Sequence, residues 1–358
     1  MQNINGGGAS MKVYYSSMYI YKTIYSFDEL VKEIDVKAIE LYLDTNLCIY
    51  MRDFYKEPSS ITKREEIWKE LRDLLKFIET NNILVDYSIG IEEACRNKSN
   101  FEINLEKMLD MNKSINDLFN MNYFEMLEHS RLVKLDKQIK DTTHKEVTKI
   151  NGLDANSIFQ NSLFVNYACL LKMYLIDKEQ SCLSRDQLMI SFLDFLENEV
   201  DLFSTSIVVF AHYYFSGNAS IRKIIHKSKN IAEEKIHALW NASIDLVLPT
   251  LVSKKLIESN IVPVFVTADE ALWNIFNSMK IRATISDGNK FAHPPFVEVD
   301  LSNTLWTDEE LILINTYYNK IMERRKYKFV FNNFDQEKLL QNLRVLCKRL
   351  EDQLKSTI

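Results

Sequence analysis

Four acidic positions stand where carboxylates can do chemistry. Asp44 follows the apolar run Ala38-Ile39-Glu40-Leu41-Tyr42-Leu43, and Asp269 ends the run Val262-Pro263-Val264-Phe265-Val266-Thr267-Ala268. Each run predicts a strand that stops at an acid and leads into a helix. In an open parallel sheet, ligands bind outside the carboxyl ends of the strands, so both acids fall on the functional edge. Glu92 and Glu93 open a helix after a third apolar run, Ile83-Leu84-Val85, and reach the same edge. Asp245 sits among Ala242, Ile244, Leu246, Val247 and Leu248, where an unpaired acid is costly to bury. Pro249 follows four residues later. Either one helix spans both and loses the bond to the carbonyl of residue 245, or a helix starts near Pro249 and Asp245 lies at its entry.

Plainer roles stand beside these. Aspartate is a common helix N-cap, and acids in a first turn are favoured by the helix dipole. Carboxylates that do converge repel one another, and a divalent cation is the natural compensation. Mg²⁺ prefers oxygen ligands and keeps several waters. A metal held there activates water and stabilises charge on a phosphodiester.

The elements that must position these acids follow from periodicity. Ser26-Phe27-Asp28-Glu29 has capping-box spacing and opens a helix ending near Ile34. Trp68, Leu71, Leu74, Leu75 and Ile78 stripe a helix from Ile61 to Glu79. Another helix begins near Ser88 or Ile89. The resulting β-α-β-α alternation suggests an open parallel sheet.

Residues 101–231 break that rhythm and read as a helical insertion, with one apolar helix through Ile158–Tyr174 and another through Met189–Phe195. The α/β pattern returns with a helical period over Ile231–Ile244, the strand before Asp269, a helix over Ala271–Met279 and a short strand at Ile281–Thr284. Thr307-Asp308-Glu309-Glu310 is a second capping box, and Leu339, Leu343, Leu346, Leu350 and Leu354 stripe a last helix capped by Asp335. The expected layout is therefore an α/β core over 11–100 and 232–300, the insertion at 101–231, and a C-terminal helical region at 301–358. Residues 1–10 hold three of the seven glycines and read as an appended tag or a flexible tail, with Met11 as the natural start.

In order and context the acids resemble the pattern of PIN-domain nucleases. Leu43-Asp44-Thr45-Asn46 is similar to the family's acid-Thr-Asn after the first strand. Ile91-Glu92-Glu93-Ala94 is similar to its helical Glu, with Glu93 the better match. Asp245 takes the place of its helical Asp, and Thr267-Ala268-Asp269 that of its Thr-x-Asp. The resemblance implies a three-layer α/β/α sandwich around a parallel sheet. It implies that Asp44, Glu93, Asp245 and Asp269 form the catalytic, metal-holding set for Mg²⁺ or Mn²⁺, with Asn46 and Thr267 orienting carboxylates and Glu92 in support. It implies hydrolysis of nucleic acid, RNA rather than single-stranded DNA, and by analogy a toxin or defence effector. The alternative is a PIN-like scaffold that binds RNA or protein without cutting. This chain departs from the family's compact form in residues 101–231 and in its wider spacing from Asp245 to Asp269.

Composition bounds the rest. The 358 residues are 46% hydrophobic and 26% charged, as a globular chain requires. A net charge of −6 leaves no global basic footprint and argues against a DNA-coating protein. Local basic runs at Arg222, Lys223, His226, Lys227 and Lys229, and at Arg324, Arg325, Lys326 and Lys328, would track a nucleic-acid backbone or form solvated helix faces. Five cysteines without a Cys-x-x-Cys pair give no zinc ribbon or disulfide framework, which suggests a reducing, cytoplasmic setting. No run of about 20 apolar residues and no leader pattern is present, so no membrane partner is expected. The insertion offers a surface for a second copy or a regulatory protein. Asn46 stands where a haloacid-dehalogenase phosphatase has its second Asp, and no phosphate-binding glycine loop exists.

Overall fold

The computed structural model describes residues 12–95, 103–135, 157–226, 231–259, 261–284, 286–287, 290–291, 296–331 and 336–358. The first ten residues, Lys227, Lys229 and Asp335 lie outside them, as do the side chains of Lys326 and Lys328. The chain is α/β and forms two compact units: Met1–Gly152 with Val252–Trp273 and Gly288–Lys290, and Leu153–Leu251 with Asn274–Asp287 and Phe291–Ile358.

The first unit carries the main sheet. Strand β1 (Tyr14–Ser16) precedes helix α1 (Phe27–Glu33). Ser26 Oγ accepts from Glu29 N and the Glu29 carboxylate accepts from Tyr25 N, so the capping residues act one position earlier on the return bond than expected. β2 (Ile39–Leu43) runs into α2 (Thr45–Lys56). The single helix expected over Ile61–Glu79 is two, α3 (Pro58–Thr62) and α4 (Glu65–Asn81), with Pro58 opening the first and Arg64 leaving helical geometry between them. Asn82, at φ 50°, closes α4 in the left-handed conformation. β3 (Leu84–Asp86) leads into α5 (Ser88–Ala94), followed by α6 (Leu105–Phe119) and α7 (Tyr123–His129); β4 (Val262–Thr267) returns much later.

The strand order is β1-β4-β2-β3, with β2 parallel to both β3 and β4 and β1 antiparallel to β4. β1 reaches only to the Ser16–Phe265 pair, so Pro263 has a neighbour on one side alone and its missing N–H costs no ladder bond there. Leu43 pairs with Val266, and Tyr42 with Asp86. The three parallel strands therefore end level with one another. Leu41, Leu43, Val264 and Val266 pack with Leu47, Met51, Phe54, Leu71 and Leu74 in one buried core. Met111, Ile115 and Leu118 of α6 join it, so residues 105–129 belong to this unit, whereas their sequence groups them with the helical insertion.

The second unit is helical. Ser157–Glu179 packs along the last helix, Gln336–Thr357, whose Leu343, Leu346, Leu350 and Leu354 are all buried. Helix Ala232–Ser259 runs unbroken through Pro249, which decides between the two arrangements open for Asp245: helix spans both residues. The strand expected at Ile281–Thr284 is Met279–Ala283, and it pairs antiparallel with Phe296–Val299 in a separate ribbon instead of extending the parallel sheet. Helix Asp308–Phe331 begins with the expected reciprocal exchange between Thr307 and Glu310. Among the described residues, no helix is long and apolar enough to cross a membrane.

Candidate active site

Asp44 lies at the turn from the central strand into α2, and backbone pairing carries it one step past the strand, where its N–H donates to Val266 O at 3.0 Å. Its side chain caps α2, with Oδ1 accepting from Leu47 N at 2.8 Å. Oδ2 faces β4 and accepts from Thr267 Oγ1 at 2.5 Å and from Ala268 N at 3.1 Å. The residue is only 3% exposed. Burial pushes its carboxyl pKa up to about 6, against hydrogen bonds from Thr267, Leu47 and Ala268 that favour the charged form; the neighbouring Asp269 charge adds to the rise.

Asp269 is held by the same threonine. Its N–H donates to Thr267 Oγ1 at 2.9 Å, and its Oδ1 accepts from Ala271 N and Leu272 N at 2.8 and 3.1 Å, capping helix Glu270–Asn277. One hydroxyl thus links the ends of two neighbouring strands. Both acids serve as N-caps as well, the plain role that sequence allows them.

Glu93 approaches from α5. The Thr45 hydroxyl donates to Glu93 Oε2. That approach depends on Gly90, one turn earlier on the same helix: a Cβ there would meet Cys48 Sγ at 2.7 Å and Leu43 O at 2.9 Å. Without a side chain at position 90, α5 lies directly against the end of β2. Glu92, beside Glu93, is part-buried on the same helix.

Asp86 is the acid that sequence reading missed. It ends β3 and pairs across from Tyr42, and its Oδ1 accepts from Ser88 N at 2.8 Å and Ser88 Oγ at 2.6 Å. The signal is Val85-Asp86-Tyr87-Ser88, an Asx turn opening a helix, where the apolar run alone ends the strand at Val85. Burial foremost, then the charges of Asp44, Glu93 and Asp86, push the Cys48 thiol up, so one buried side chain feels all three acids.

Asn46 is exposed, and among the described residues no hydrogen bond joins it to an acid; Thr45 makes that contact instead. Asp245 is part-buried on helix Ala232–Ser259 and belongs to the second unit. Arg222 holds both oxygens of Asp177, at 2.8 and 2.9 Å, and Lys223 is exposed. Arg324 pairs with Glu197 at 2.9 and 2.6 Å, and Arg325, 2% exposed, pairs with Asp201 over the Phe203 ring. Three guanidinium groups of the basic runs are thus committed to carboxylates of their own unit.

The donors at the strand ends are carboxylate oxygens, the type Mg²⁺ and Mn²⁺ take. Oδ2 of Asp269 and Oδ2 of Asp86 receive no hydrogen bond from a described residue, which leaves them open to an ion or its waters. Among the described residues, no three His, Cys, Asp or Glu side chains gather closely enough to hold a metal ion. The chemistry of the donors fits an ion that keeps most of its own waters, and not a closed all-protein cage. Compared with models of known protein families, with curated proteins and with solved structures, the chain finds no match.

Proposed function

We propose that the chain is a PIN-like nuclease that uses Mg²⁺ or Mn²⁺ to hydrolyse phosphodiester bonds, in RNA rather than single-stranded DNA, in a cytoplasmic setting. The observation that carries this reading is the level ending of three parallel strands, which delivers Asp44, Asp86 and Asp269 to one edge with Glu93 behind them. Asp44 and Asp269 would hold the ion with Glu93 and Asp86 around its waters; Asp245, which the family resemblance also names, belongs to the second unit. Such an ion supplies a hydroxide-like nucleophile and screens charge on the phosphate. The protein's own part is to keep Asp44 oriented through Thr267 and Ala268, and to hold a carboxylate that burial makes ready to accept either a proton or a cation. A toxin or defence role belongs to the same proposal. Expression of wild type and of Asp269→Ala in cells tests it, since equal growth and equal RNA integrity argue against it.

A second reading is favoured by one observation. No three metal-ligating side chains gather among the described residues, as in a PIN-like scaffold that binds RNA or protein and does not cut. Incubating the protein with labelled RNA and single-stranded DNA, in Mg²⁺ or Mn²⁺ and then in chelator, separates the two. Metal-dependent products that vanish in Asp44→Asn support the nuclease. Intact substrate under every condition supports the scaffold.

A further inference from the structure

Beside the strand-end acids, the first unit presents an aromatic cluster that the acid chemistry does not use. Tyr14 of β1 pairs with Thr267 of β4, two residues before Asp269. Its ring lies 5.0 Å from that of Trp273, and the Tyr25 ring lies 5.4 Å from Trp273 at 60°. Trp273 is 5% exposed and its Nε1 donates to Tyr15 O at 2.8 Å, so it is a fixed backing. Tyr25 is 53% exposed. The Lys12 ammonium lies 5.3 Å from the Tyr14 ring centre and 5.6 Å from that of Tyr25. Among the described residues Lys12 has these rings as partners and no carboxylate.

We propose that Tyr25, Tyr14 and Lys12 form a subsite for single-stranded nucleic acid, with a base stacked on Tyr25 and a phosphate at Lys12. The inference deepens the nuclease reading and rests on it for the class of ligand. Aromatic rings on a rigid backing with a cation beside them are how single strands are held without regard to sequence: every base has a π-face, and the backbone needs positive charge; here the Lys12 ammonium lies over the Tyr14 and Tyr25 rings, and an incoming base would displace it toward the phosphate. The cluster also touches the site electrically. Burial first, then the charges of Glu270 and Asp269, raise the Tyr14 pKa. A strand stacked on Tyr25 would place an adjoining phosphodiester toward Asp269. With so many carboxylates near, a lone lysine draws the backbone in weakly, and a divalent cation at the acids should strengthen binding.

The test is fluorescence anisotropy of the full chain with a short fluorescein-labelled oligouridylate in Ca²⁺, compared with an abasic strand of the same length. Tyr25→Ala should weaken binding about tenfold, the scale of one lost stack, while Tyr25→Phe keeps wild-type affinity. The abasic strand should bind weakly and equally to wild type and Tyr25→Ala. Lys12→Gln should flatten the dependence on salt concentration. Wild-type affinity in Tyr25→Ala, an equal loss for the abasic strand, or no binding by wild type overturns the subsite. Cleavage scored separately in Mg²⁺ with Asp44→Asn distinguishes the failures. Metal-dependent cutting with an unaffected Tyr25→Ala removes only the subsite; stacking without any cutting removes only the nuclease.

Discussion

Thr267 and Asp44, far apart in the chain, meet across two parallel strands: the threonine hydroxyl donates to Asp44 Oδ2 at 2.5 Å and accepts from Asp269 N at 2.9 Å. Thr267 is fully buried. A buried acceptor left with no donor costs about 1–3 kcal/mol, and Asp44 Oδ2 would keep the Ala268 N–H, so the loss falls at the lower end of that range. Thr267→Val, nearly the same in shape, should lower stability by about that much in denaturant titration, and Thr267→Ser should restore most of it. Equal stability of the valine and serine variants would show that the hydroxyl has no part in holding the acid.

Asp44 gives the molecule a pH dependence of definite sign. Its carboxyl pKa stands at about 6 in the folded chain against an ordinary 3.8, because burial penalises the charge. The folded state thus holds this proton more tightly than the unfolded one. The contribution of Asp44 to stability is greatest below the unfolded value, declines as pH rises from 3.8 through about 6, and is flat above. A cation at the strand ends would compete with that proton. Mg²⁺ or Mn²⁺ should therefore raise the melting temperature at pH well above 6 and do little near pH 5, and Asp44→Asn should abolish the difference. A metal effect of one size at both pH values, or one that survives in Asp44→Asn, would place any bound ion elsewhere.

Legibility in the sequence followed the length of the signal. β2 and β4 were readable because each is an apolar run with an abrupt acid at its end. β1 was not: three residues, Tyr14–Ser16, are too short to show a period, and only their pairing with β4 makes them a strand. Asp86 was missed by one residue at a strand end, where boundaries are set by neighbouring strands and not by local pattern. Residues 105–129 were grouped with the helical stretch after them because amphipathic helices look alike in sequence, and only tertiary contact says which core a given stripe faces. The basic runs show the same limit. Arg222, Arg324 and Arg325 look free in sequence, and their partners Asp177, Glu197 and Asp201 lie far off in the chain.

Gly90 offers a sharp test of how α5 is seated. In a free helix, alanine is better than glycine by about 1 kcal/mol. Here an added methyl would come within 2.7 Å of Cys48 Sγ and 2.9 Å of Leu43 O, and the second of these is backbone. Overpacking of that kind costs about 1–3 kcal/mol and should outweigh the helix gain. Gly90→Ala is expected to be destabilised, and Cys48→Ala in the same chain should recover part of the loss by removing the sulfur. A double-mutant cycle measures the coupling. Simple additivity, or a stabilised Gly90→Ala, would mean that α5 can shift off β2 at little cost.

Arg325 separates structural from binding roles in the C-terminal basic run. The residue is 2% exposed, and its guanidinium bonds Asp201 through both the carboxylate and the backbone oxygen and lies 5.0 Å from the Phe203 ring centre. Removing Asp201 leaves that charge buried and uncompensated on one side, which typically costs about 3–5 kcal/mol when the pair is buried. The cost here should be smaller because Asp201 is itself part-exposed and its backbone oxygen remains. Asp201→Ala should thus lose about 1–3 kcal/mol of stability, and Arg325→Met should lose less than Arg325→Ala because the methionine keeps the packing against Phe203. Neither Met nor Ala at this position should change affinity for an oligonucleotide by more than the change in folded fraction. A selective fall in affinity at full stability would instead assign Arg325 to the nucleic-acid backbone, one of the two roles open to this run in the sequence.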